Sequence, residues 1–253
     1  MCRIAPSTLR IFVSACAVIA AASLAGCAGG KSAVKEKTAL EWYDQGTRLA
    51  GKEKYDEALD AFKEAAKGYR SADLDADIQI SLADAYFNKE EYPAAVEAYT
   101  EFLRLHPHNA RADYVQLRIA LSWQKQMRSA DRSPEAARKA STAFEALLRG
   151  FPRSPLLDQG REGLAAVRRR IAEHELTVAD FYSRKEKYRA AAGRYELVLR
   201  DYADSGYADL VLFKLGGCYR ELHEPEKADQ FYDQLRREYP QSRFVKDLDK
   251  SKG

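Results

Sequence analysis

The chain has 253 residues, 31% of them charged and 46% hydrophobic, with a formal net charge of +3. That length supports a large core or a solenoid of several repeats, and this composition is ordinary for a soluble helical protein. So small a charge excess gives no case for nucleic acid, which needs a concentrated basic face.

Arg3 and Arg10 precede an apolar run from Ile11 to Ala22. The run is too short to span a bilayer comfortably and reads as the core of a secretory signal peptide over residues 1–26. It ends in Leu24-Ala25-Gly26-Cys27, which resembles the lipobox of bacterial lipoproteins. The resemblance implies cleavage before Cys27 and a diacylglycerol on its thiol. A conventional signal peptide with a chance cysteine is the other reading. Ala28, in place of an aspartate, is expected to direct the protein to the outer membrane, facing the periplasm. Residues 27–37 are small, polar and charged and read as a tether. Cleavage removes Cys2, Cys16, Arg3 and Arg10, which lowers the net charge from +3 to +1. Cys218 then has no intramolecular partner and is expected to be a small packed residue.

The rest of the chain is periodic. Gly46, Ala83, Ala179 and Gly216 are each followed after 12 residues by Ala58, Ala95, Ala191 and Ala228, and after 16 by Phe62, Tyr99, Tyr195 and Tyr232. Small residues let two antiparallel helices approach, and the ring fills their seam. This is the spacing of a tetratricopeptide repeat, a helix–turn–helix unit of about 34 residues that stacks because one copy cannot bury its apolar face. An all-α solenoid of about five repeats is expected. Repeat one begins near Ala39, with Leu49 in place of the tyrosine expected at this spacing. Repeat two turns at Asn88 to Glu91 and ends at Pro107. Repeat three is stretched: Ala120 and Ala140 stand 20 residues apart, so eight extra residues fall around Met127 to Pro134. Repeat four opens with a long helix from about Leu156 to Arg184, weakened only at Gly160 and Gly163, and carries Ala203 where a proline is expected. Repeat five closes at Pro240, and residues 241–253 read as a charged, frayed tail.

No phosphate-binding glycine loop, nucleophile elbow or HExxH zinc motif is present, so neither an enzyme nor a cofactor or metal requirement is expected. His106 and His108 flank Pro107 and read as exposed turn residues. Arg168-Arg169-Arg170 and Glu173-His174-Glu175 read as a solvated charged face with an Arg169–Glu173 pair at i,i+4. Binding is the default work of such a solenoid, whose first helices line a groove. The groove positions are Tyr43 and Thr47 in repeat one, Asp84, Phe87 and Asn88 in repeat two, and Tyr114, Gln124 and Lys125 in repeat three. They suit an extended or C-terminal peptide. Packing against neighbouring helices is an equal alternative for each.

An outer-membrane lipobox joined to five such repeats, a stretched third repeat and a long fourth-repeat helix resembles the BamD/ComL family of β-barrel assembly lipoproteins. The segments that carry the resemblance are Ala130-Asp131-Arg132-Ser133-Pro134, Ala143-Phe144, Arg149 to Ser154, Ala172 to Leu176 and Val178 to Tyr182. The resemblance implies a scaffold that holds the POTRA domains of BamA, works beside the other Bam lipoproteins and helps deliver unfolded outer-membrane proteins. It places substrate on residues 38–154 and BamA on residues 155–240. Arg194, within Gly193-Arg194-Tyr195-Glu196, matches a family arginine and would pair with a carboxylate of BamA. Two departures are a shorter third-repeat loop and Ala203 for proline. A different tetratricopeptide lipoprotein adaptor, for pilus or cell-envelope assembly, is the competing reading.

Overall fold

Helix α1 (Ala39–Ala50) starts at a capping box: Thr38 N–H donates to Glu41 Oε2 at 2.7 Å while Glu41 N–H donates to Thr38 Oγ1 at 3.2 Å. Two orphan donors are thereby satisfied at the first turn. The computed structural model describes residues 37–68, 70–127 and 134–250. The signal peptide, Cys27, nearly all of the tether and most of the third-repeat insertion lie outside the described residues.

The helices follow in pairs: α2 (Tyr55–Lys67), α3 (Ala72–Asn88), α4 (Tyr92–Leu105), α5 (Ala112–Lys125), α6 (Glu135–Gly150), α7 (Leu157–Arg184), α8 (Tyr188–Asp201), α9 (Ala208–Glu221), α10 (Pro225–Glu238) and α11 (Arg243–Lys250). Each packs chiefly on its sequence neighbours, as a stack of two-helix units requires. Thr38–Gly253 form one compact unit.

The seams are those the spacing predicts. Ala83, Ala95, Tyr99, Ala120, Ala140 and Phe144 share one core, and Ala179, Ala191 and Tyr195 share the next. A Cβ on Gly46 would stand 2.6 Å from the Phe62 ring and one on Gly216 would stand 2.2 Å from the Tyr232 ring. Only hydrogen fits there. Gly160 and Gly163 in α7, weak points by helix propensity, serve the same purpose: they face Leu147 and Phe144. The first half of this 28-residue helix therefore covers repeat three, while Ala172, Leu176 and Ala179 of its second half enter the next core.

Within repeats one, two, four and five the helix–helix turn carries a non-glycine residue at positive φ: Glu53, Glu90, Glu186 and His223. The next amide reaches back to close the first helix, as in Lys54 N–H to Leu49 O at 3.1 Å and Glu91 N–H to Tyr86 O at 2.9 Å. This is a Schellman closure. The insertion of repeat three stands where the other four repeats have it. Between repeats, Ser154 and Ser242 each donate to an aspartate of the preceding first helix, Asp113 at 2.6 Å and Asp209 at 2.7 Å, and cap the chain that follows. Where repeat four lacks its proline, a short 3₁₀ turn (Ala203–Ser205) and Gly206 at φ 84° make the same corner.

The tail departs from expectation. Arg243–Lys250 is helical, buries Leu248 and stacks Phe244 on Phe213 with ring centroids 5.2 Å apart. Repeat five would otherwise expose the apolar face that a following repeat covers, and an amphipathic cap removes that cost. The sequence shows only charge there because three anchoring residues, Phe244, Val245 and Leu248, suffice for two helical turns.

Candidate functional site

The groove residues of repeats two and three converge. Asp84 on α3 accepts from the Tyr99 hydroxyl of α4 and, at 2.7 Å, from the Tyr114 hydroxyl of α5. Arg118, one turn beyond Tyr114, donates from Nε to the Tyr99 oxygen at 2.9 Å and lies 3.2 Å from Asp84. Its guanidinium stacks on Phe87 at 3.6 Å from the ring centroid, and Nη2 is 3.5 Å from Asn88 Oδ1. Tyr99 is wholly buried, so its hydroxyl has one proton for Asp84 and one acceptor position for Arg118.

The electrostatics lock these roles. Burial first, then the Asp84 charge, pushes the Tyr99 and Tyr114 phenols well above their ordinary range. Burial works against the Arg118 charge, but Tyr99, Tyr114 and Asp84 outweigh it and raise the guanidinium further. Both tyrosines stay protonated donors and Arg118 stays cationic. The cluster presents an aromatic–guanidinium surface whose polar atoms are mostly satisfied internally, with arginine donors left over.

The other groove positions divide. Thr47 spends its hydroxyl on the Tyr43 carbonyl at 3.0 Å, and the Tyr43 ring packs on Phe62 with centroids 6.0 Å apart. Repeat one therefore uses both in packing. Gln124 is half-buried and Lys125 exposed, at the end of α5 beside the insertion. Repeat position alone does not select Arg118 or Tyr99 as groove residues. A signal exists: Asp84 and Arg118 stand one repeat length apart, and so do Asp180 and Lys214. In that second copy Tyr195 donates to Asp180 and Lys214 Nζ lies 3.3 Å away. Where the seam ring is phenylalanine instead, as at Phe62 and Phe144, the aspartate position holds Thr47 and Leu121.

Arg194 on α8 has an internal partner that repeat spacing does not reveal. Its Nη1 lies 2.8 Å from Glu175 Oε2, and Arg138 Nη2 of α6 lies 3.5 Å from Oε1 of the same carboxylate. Glu175 is only 1% exposed. The expectation that residues 168–175 form a solvated charged face is corrected here: this glutamate points inward, where two guanidinium groups meet its carboxylate and offset part of the cost of burying it. Arg168 is also engaged, with Nη2 at 2.8 Å from both Asp204 and the Asp201 carbonyl. Arg169 lies 3.8 Å from Glu173, the anticipated i,i+4 pair, and that glutamate also accepts from Tyr207 at 2.7 Å.

His106 is not an exposed turn residue. Its ring packs on Phe102, centroids 5.0 Å apart, and its Nε2 is 3.4 Å from Asp75, which Arg70 and Gln79 already bind. That imidazole–carboxylate distance is a close approach more than a formed hydrogen bond. Cys218 is buried as expected, and burial pushes its thiol up to about 11. Among the described residues no group of histidine, cysteine, aspartate and glutamate could hold a metal ion, and no helix is long and apolar enough to cross a membrane.

Residues 35–235 match the family model YfiO, described as an outer membrane lipoprotein. The outer membrane protein assembly factor BamD of Vibrio cholerae is 27% identical over 222 residues, covering 81% of this chain and 89% of that protein. The Caulobacter vibrioides protein of the same name is 25% identical over 248 residues, covering 94% of this chain and 81% of its own. Among solved structures, the yeast Sti1 structure described as a TPR2AB-domain:pHSP90 complex is similar with a TM-score of 0.46 and 13% identity, covering 80% of this chain and 78% of that one.

Proposed function

Because the chain belongs to the YfiO family of outer membrane lipoproteins, we propose that it is a non-catalytic assembly factor for outer-membrane β-barrel proteins. The observation that carries the reading is the breadth of the likeness: the family model matches residues 35–235, and two assembly-factor relatives cover 81% and 94% of this chain, more than any one repeat. In this reading Cys27 carries the lipid that holds the chain to the outer membrane, facing the periplasm. More than one acyl chain gives a stable anchor, since each buried CH₂ contributes about 0.8 kcal/mol and a single chain is marginal.

The division of labour follows the chain. Residues 38–154 receive unfolded outer-membrane proteins, on the surface made by Asp84, Phe87, Asn88 and Tyr114 around Arg118, continued by Gln124 and Lys125. A stacked guanidinium among phenol rings suits an extended segment with an aromatic side chain and a carboxylate. Residues 155–240 hold a POTRA domain of BamA, with Arg194 at the contact, next to the other Bam lipoproteins. Depletion of the protein in its own host tests this. Folded, heat-modifiable barrels should fall in the outer membrane while their unfolded forms collect in the periplasm, and a Cys27→Ala copy should fail to restore them. Unchanged barrel levels after full depletion would refute the assignment.

A further inference from the structure

Glu175 sits near the middle of α7 with its carboxylate buried, and it draws one guanidinium from α6 and one from α8. A buried ion pair is a poor stabiliser, because apolar residues of similar volume do as well or better once desolvation is counted. Both guanidinium groups stay largely in water while only the carboxylate is buried, so holding the helices together does not by itself call for two exposed arginines. The arrangement is better explained by what it presents than by what it holds together.

It presents two arginines. Arg138 and Arg194 each reach Glu175 through a single nitrogen and on different oxygens, so each keeps most of its five donors. Their side chains remain 62% and 43% exposed. Among the described residues neither pairs with any other carboxylate. Arg168, on the same long helix, offers no such capacity, because Asp204 and the Asp201 carbonyl take it. The shared carboxylate tethers two otherwise mobile side chains at fixed places and offsets part of their mutual repulsion. Their outward edges are then preorganised for planar acceptors.

We propose that Arg138 and Arg194 form a two-armed docking site for a pair of carboxylates on a folded protein partner, and that Glu175 is the positioning residue that aims both arms. The proposal rests on the assignment of Arg194 to the BamA contact and adds a second arm from repeat three. Because the arms come from different repeats, the site is complete only while repeats three and four keep their register across α7. The partner's matching element carries two acidic side chains, one for each fork.

The test is a binding titration of the full lipoprotein, in detergent, against the soluble periplasmic region of BamA, at low and moderate salt and well below the melting temperature. Arg194→Gln should weaken binding about tenfold or more. Arg138→Gln should weaken it at least fivefold and flatten its salt dependence, which a merely structural role would not do. Glu175→Gln, which removes the aim but neither arm, should weaken it at least fivefold while its salt dependence stays at least as steep as wild type. Arg138→Lys, which keeps the charge but loses the fork, should fall between wild type and Arg138→Gln. Weakening by Arg194→Gln alone, with wild-type affinity for the Arg138 and Glu175 variants, would overturn the two-armed site and leave the contact at Arg194 standing. Wild-type affinity for all three would overturn both. Should Glu175→Gln fail to fold, Arg138→Gln decides, since it leaves Arg194 on Glu175: fivefold weakening supports the site and an unchanged affinity removes it.

Discussion

Gly163→Ala and Gly193→Ala should move stability in opposite directions, although both put the best helix former in place of the worst ordinary one. In an open helix interior the exchange stabilises by about 0.5–1 kcal/mol. Gly193 lies within α8, and a Cβ added there would meet nothing within 4 Å, so that gain should appear in full. At Gly163 the new Cβ would stand 2.3 Å from Phe144 Cζ and 2.5 Å from Cε1. Carbon atoms pack best at about 3.5–4.0 Å, so the ring has to retreat by about 1.2 Å or more. Phe144 is fully buried beside Ala140 and Leu147, which are fully buried too. Overpacking of this kind costs about 1–3 kcal/mol, which leaves a net loss of up to about 2.5 kcal/mol at Gly163 after the helix-propensity gain. For a unit of this size 1 kcal/mol shifts the melt by about 2–4 °C. Thermal and urea melts followed by circular dichroism, with an unchanged urea slope, read both variants. A Gly163→Ala melt raised above wild type, as for Gly193→Ala, would refute the packing of the first half of α7 on repeat three.

Other substitutions probe the clusters and titratable groups. Tyr99→Ala should cost about 3–5 kcal/mol as loss of a buried aromatic, and Tyr99→Phe about 1.5–3 kcal/mol for the hydroxyl between the charged Asp84 and Arg118; unchanged melts for both would show the register to be wrong. Arg194→Glu should not leave the melt unchanged, because it sets a second carboxylate against buried Glu175; a loss of about 1.5–3 kcal/mol is expected from the broken charged hydrogen bond alone. Cys218, its thiol raised to about 11, should react with thiol reagents slowly in the native protein at neutral pH, quickly in urea, and faster natively as pH approaches that value; rapid native labelling at neutral pH would contradict its burial. Asp204 is held below the usual aspartate range, chiefly by its hydrogen bond from Arg168. Its contribution should be present above the unfolded value and lost as pH falls through the lower folded one. Being exposed, the pair is worth under about 1 kcal/mol, so Asp204→Asn should lower the neutral-pH melt slightly and the difference should vanish in acid.

The helix pairs are legible in the sequence because a seam imposes a rigid spacing: a small residue, another after 12, and a ring after 16. Gly160 and Gly163 are legible as glycines but not as contacts, since propensity marks them only as weak points, and their partners Leu147 and Phe144 lie in the preceding helix. The site is less legible. Repeat position selects Asp84, Phe87, Asn88 and Tyr114, yet Arg118, which binds them together, is visible only through its spacing of one repeat from Asp84. Glu175 reads wrongly as solvated because helical charge runs usually are, and its two arginines stand 37 and 19 residues away. His106 and the tail mislead for a related reason: Phe102 and Phe213 take up residues whose own sequence surroundings are polar.

One measurement bears most directly on the assembly role. The protein, tagged and expressed at its native level, is recovered from membranes in mild detergent and its companions are identified by mass spectrometry. Near-stoichiometric recovery of a POTRA-bearing β-barrel protein is the predicted result. Recovery of pilus or peptidoglycan proteins without such a barrel would contradict the account, while leaving the repeat fold intact.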